Sequence, residues 1–81
     1  MAKLRVLSSR GDTVVDWDEK KVERRDPEAL AAVREAERIF EEQRARGATA
    51  FVVTPDTPAR RIDQFDPMAE QIIMVPRVAG G

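Results

Sequence analysis

Apolar and polar residues alternate near the start of this chain and recur at helical spacing in its middle. Leu4 and Val6 share one face of KLRVL (residues 3–7), and Val15 and Trp17 share one face of TVVDW (13–17). That two-residue period predicts strands. Ser8-Ser9-Arg10-Gly11-Asp12 between them is turn chemistry, with Gly11 able to take positive φ, so the two runs predict a β-hairpin. Asp18 to Arg25 reads as a charged connector. Asp26-Pro27-Glu28 is a helix start: an N-cap acid, a proline at the first position and an acid in the positive first turn. The helix runs to Gly47, with Leu30, Val33, Ala36, Ile39 and Phe40 along one stripe. At about 1.5 Å per residue it is roughly 30 Å long, the width of a small domain.

Beyond Gly47, TAFVV (49–53) predicts a strand and Pro55-Asp56-Thr57-Pro58 a turn. Arg61 to Phe65 reads as a short strand. Asp66-Pro67 starts a single helical turn over PMAE, and QIIMV (71–75) is the last strand, ended by Pro76. The order predicts an α+β domain over residues 1–76, with one mixed sheet of four to five strands and one long helix packed across one face. Residues 77–81 form a tail. If Phe51, Val53, Ile73 and Val75 point at the helix, then Val14, Val52, Ile72 and Met74 form an exposed apolar surface for a partner, because strand side chains alternate. A one-residue shift of register exchanges the two sets.

Composition narrows the function. The 81 residues carry 14 basic and 15 acidic side chains, a net charge of −1, which gives no electrostatic case for nucleic acid or an anionic membrane. No apolar run approaches the length a bilayer needs, and MAKLRVLSS is too short and polar for a secretory signal, so the expected location is the cytoplasm. The chain has no Cys and no His, which removes the usual nucleophile, general base and metal ligands. Tyr is also absent. No catalytic residue, metal ligand or cofactor is assigned, and the expectation is a protein that is not an enzyme.

What remains is the run MVPRVAGG (74–81). Strand order, crossover length and a last strand leading into Arg77-Val78-Ala79-Gly80-Gly81 resemble the ubiquitin-like β-grasp family. VPRVAGG is similar to the tails of small sulfur carriers of molybdopterin and thiamin biosynthesis. It is also similar to bacterial ubiquitin-like modifiers and to a phage tail-assembly family of related fold. The resemblance implies a protein modifier. A partner enzyme would adenylate its C-terminal carboxylate, and the resemblance also admits a transfer enzyme or a deconjugating protease as partners. Gly81 would be the attachment point, and Arg77, Val78, Ala79 and Gly80 the recognised tail. Glycines suit a narrow channel because they lack side chains and allow backbone angles closed to other residues. The resemblance equally admits a sulfur carrier with a Gly81 thiocarboxylate, or a β-grasp adaptor that is never conjugated.

Other features have plainer readings. Arg10-Gly11-Asp12 matches an integrin-binding tripeptide but sits where the hairpin must turn. Asp16, Asp18 and Glu19 lack the spacing and glycine of a calcium loop. Arg24-Arg25 and Arg60-Arg61 read as exposed loops. Lysine occurs only at positions 3, 20 and 21, against eleven arginines, so these three are the side-chain acceptors if chains form.

Overall fold

A computed structural model describes residues 1–77. The first alternating run forms β1 (Ala2–Val6) and the second β2 (Thr13–Trp17), paired antiparallel with Leu4 opposite Val15. Asp12 organises the turn between them: its carboxylate accepts from the Ser8 N–H at 3.2 Å and from Arg5 Nη1 at 3.2 Å. Gly11 takes φ +116° there. Arg10-Gly11-Asp12 is therefore hairpin geometry.

The charged connector contains a helix that alternation does not reveal, α1 (Glu19–Glu23), capped by Asp18, which accepts from the Lys20 N–H at 2.9 Å. It ends at Arg25, whose φ of 59° makes it the sole left-handed non-glycine among the described residues. Asp26 then caps α2 (Pro27–Ala45), accepting from the N–H groups of Glu28 and Ala29 at 2.9 and 3.3 Å. At the far end Gly47 (φ +94°) lets the Ala48 N–H return to the Gln43 carbonyl at 3.0 Å, the glycine-ended helix stop expected from sequence.

β3 (Thr49–Thr54) and β4 (Thr57–Ile62) form a second hairpin, with the Thr54 and Thr57 hydroxyls hydrogen-bonded across its turn. The fourth strand thus lies before Phe65, not over Arg61 to Phe65. Pro58 is tolerated because β4 is an edge strand, where a missing N–H faces solvent. Residues 63–70 are irregular. Asp66 closes a turn by accepting from the Met68 N–H at 2.9 Å, so PMAE is a turn and not a helical one. β5 (Gln71–Val75) completes a sheet of order β2-β1-β5-β3-β4, with β1 and β5 parallel and the other pairs antiparallel. This is an α+β fold of β-grasp-like layout: one mixed five-stranded sheet with one long helix across it.

The core lies between α2 and one sheet face. Ala2, Leu4 and Val6 of β1 face it, with Trp17 of β2, Ala50 and Val52 of β3, and Ile72 and Met74 of β5. The helix contributes Ala36 and Phe40, flanked by Ala32, Val33 and Ile39. Phe65 of the irregular segment stands between Trp17 and Phe40, with ring centroids 5.8 and 5.7 Å away, and the Trp17 indole N–H donates to the Pro67 carbonyl at 2.8 Å.

This register corrects the expected faces. Val52, Ile72 and Met74 are buried, the last two completely, and are not a partner surface. Of the four residues expected to point outward, Val14 alone is exposed. The helix and the 63–70 segment already bring Phe40 and Phe65 into the core, so β3 faces them with Ala50 and Val52 and turns its largest side chain, Phe51, away.

Candidate functional site

The uncovered face of the sheet is built by the side chains left over from that packing. Cross-strand register aligns five of them in one row: Val14 of β2, Arg5 of β1, Ile73 of β5, Phe51 of β3 and Arg61 of β4. Directly paired side chains on one face lie about 4.5–5.5 Å apart at Cβ, so the row is a continuous strip. Ile73 and Phe51 form its apolar centre, with an arginine on each side. Val53 and Val75 extend the apolar patch along the same two strands, and Val75 is 40 % exposed. Phe51, Val53 and Ile73 are half-buried, and among the described residues neither helix packs on this face.

The charges around this patch are partly held. Arg5 is tied to Asp12, and Arg61 Nε lies 4.0 Å from Asp63. Both pairs are substantially exposed, so each contributes little to stability. An open groove of about 450 Å³ lies between Leu7–Ser9 and Val75–Arg77, where the chain leaves β5. Arg77 is exposed and its side-chain stem lies over Gly47, with Cδ 3.1 Å from the place a Cβ on that glycine would occupy. Val78, Ala79, Gly80 and Gly81, the rest of the expected tail, lie outside the described residues.

Two of the remaining acidic sequence candidates have structural partners. Asp18 caps α1 and Glu19 pairs with the amino terminus at 3.4 Å. Among the described residues no group of three or more His, Cys, Asp or Glu side chains could hold a metal ion. Arg24 is the C-cap of α1. Arg60 and Arg61 stand on an edge strand and not in a loop. No described helix is long and apolar enough to cross a membrane.

Of the residues expected on the exposed apolar face Val14 alone is there, and Phe51 and Ile73, which the sequence reading assigns to the core, stand on that face instead. No local signal separates the two sets, since QIIMV and TAFVV carry apolar residues at both parities. What the face offers chemically is apolar contact bordered by guanidinium groups.

The class these observations define is an α+β domain of β-grasp-like layout with one uncovered, partly apolar sheet face. Compared with protein-family models, curated proteins and solved structures, the chain matches none.

Proposed function

We propose that this chain is a ubiquitin-like protein modifier, joined to its targets through the carboxylate of Gly81. One observation carries the reading. β5 is the central strand of the sheet, and the chain runs from it directly into Pro76-Arg77-Val78-Ala79-Gly80-Gly81. A rigid domain with a side-chain-poor segment at the end of its central strand suits presentation to another protein's active site.

In this reading an adenylating partner attaches the Gly81 carboxylate oxygen to the α-phosphate of ATP, with release of pyrophosphate. An amine on the target then attacks the acyl carbon, AMP leaves and an amide remains. The partners supply acid, base and nucleophile, consistent with a chain that has no His or Cys. The setting is the cytoplasm, and the protein is itself no enzyme.

The test uses the sequence of the tail. Trypsin cuts after Arg77, so a target lysine would keep the remnant Val-Ala-Gly-Gly. Digests of native cells searched for that remnant should contain it. A Gly81 thiocarboxylate with no remnant on any lysine would turn the reading to a sulfur carrier.

A second reading is a β-grasp adaptor that binds partners without being conjugated. It is favoured by Phe51 and Ile73 standing uncovered between two arginines. It expects deletion of Gly80 and Gly81 to leave partner binding intact, and Ile73→Asp to abolish it.

A further inference from the structure

The sheet has two edges, and they differ in charge. β2 carries Asp16 and is flanked by Asp12, Asp18 and Glu19, whereas β4 carries Arg60 and Arg61 between the flanking Asp56 and Asp63, and Asp63 is itself engaged by Arg44 at 3.2 Å. Every β4 residue from Thr57 to Arg61 is exposed. An edge strand leaves a row of backbone N–H and C=O groups unpaired, a template for another strand. Adjacent strand residues point to opposite faces, so Arg61 projects on the uncovered face beside Phe51 and Arg60 on the helix side, in register with Val52. A strand laid against this edge would therefore meet one guanidinium on each face.

Both cations are available. Among the described residues Arg60 makes no ion pair, and Arg61 has only the long contact with Asp63, its side chain 65 % exposed. The same arginines oppose pairing of β4 with β4 of a second copy, since antiparallel pairing would set like charges side by side. Pro58 lacks an N–H, and the β3–β4 register shifts between Val52 and Thr54, so the usable edge is the stretch Ala59-Arg60-Arg61-Ile62.

We propose that the β4 edge is a docking site for an extended acidic segment of a partner protein, which adds as a sixth strand beside Ala59–Ile62 and places carboxylates against Arg60 and Arg61. Backbone hydrogen bonds would supply the pairing and the two charges the choice of partner. The acidic surroundings of β2 repel the same segment, so one ligand distinguishes the two edges. The site is independent of the fate of Gly81.

The experiment titrates the ¹⁵N-labelled protein with a blocked eight-residue peptide, Val-Asp-Asp-Val-Val-Asp-Asp-Val, whose adjacent aspartates present a carboxylate on each face of a strand, and with its counterpart carrying lysine for aspartate. The expected result is saturable amide shifts and slowed hydrogen exchange confined to residues 59–62, with the aspartate peptide only. Arg60→Gln/Arg61→Gln should weaken binding about tenfold. Arg60→Glu/Arg61→Glu should reverse the preference and bind the lysine peptide at β4. Both positions are exposed, so an unchanged thermal midpoint would show that the variants stay folded. Shifts centred on β2 or on Phe51 and Ile73, equal binding of both peptides, no saturable shift, or association of the protein with itself through β4 would each overturn the proposal.

Discussion

Arg77 lies across Gly47: the first residue of the tail packs its aliphatic stem on the turn that ends the long helix. A guanidinium there sits near the negative end of the α2 dipole, where a cation is favoured. The exit of the chain from β5 and the stop of α2 are thus one local structure.

Gly47→Ala should destabilise the protein for two separable reasons. A left-handed conformation costs an L-residue about 1–2 kcal/mol, and the new Cβ would meet Arg77 Cδ at 3.1 Å. Urea unfolding should show the loss. Adding Arg77→Ala should return only the steric part, leaving the backbone cost.

The two faces of β5 predict opposite responses to similar changes. Ile72→Ala removes a fully buried side chain and should cost about 2–5 kcal/mol, close to the whole stability of a small domain. Ile73→Asp, one residue on, should leave the circular dichroism spectrum native and shift the melting temperature by a few degrees at most. Equal losses at the two positions would contradict the register of β5.

Arg25→Gly should stabilise the protein. Arg25 ends α1 at φ 59°, its N–H donating to the Val22 carbonyl at 3.0 Å. Glycine takes that conformation without the Cβ clash, although it gives the unfolded chain more freedom. The net gain should be roughly 0.5–1 kcal/mol, read as a higher denaturation midpoint at unchanged slope.

Glu35 should titrate below the ordinary glutamate range, held down mainly by its hydrogen bonds to Arg38, at 2.6 and 3.2 Å, and further by the charge of that guanidinium. A lowered folded value means the pair favours the folded state above the unfolded pKa, and that contribution disappears as pH falls through the lowered value. The side chains are exposed, so the effect should be small and screened by salt. A ¹³C titration of the Glu35 carboxyl checks the direction, and Arg38→Ala should return it to the ordinary range.

Local chemistry was the most legible part of this fold. Asp26-Pro27 and Gly47 bracket α2 because caps are read within a few residues, Thr13–Trp17 appears where alternation places it, and Gln71–Val75 appears where an apolar run ended by Pro76 places it. Faces were not legible. QIIMV and TAFVV have apolar residues at both parities, so alternation cannot say which set is buried. That choice was made by distant residues: Phe40, Phe65 and Trp17 occupy the core and leave β3 room for Ala50. The strand over Thr57–Ile62 was hidden by Pro58, which breaks a central strand but not an edge one. α1 was hidden because EKKVE has no buried residue to give it a period. The same error of face shifts the exposed apolar set: Val14 is exposed as expected, while Val52, Ile72 and Met74 are buried and Phe51 and Ile73 lie on the outer face.

The parallel pairing of β1 with β5 also orders events during synthesis. Lys3 pairs with Gln71 and Val6 with Met74, so the first of these five strands meets its inner neighbour only when the last of them has been made. Such distant pairing closes a long loop before any contact repays it, which slows folding. A nascent chain on the ribosome can form both hairpins and wind α2 while the centre of its sheet stands open. Until Gln71–Val75 emerges, Leu4 and Val6 have no strand on that side, and a chaperone would find its clearest target there.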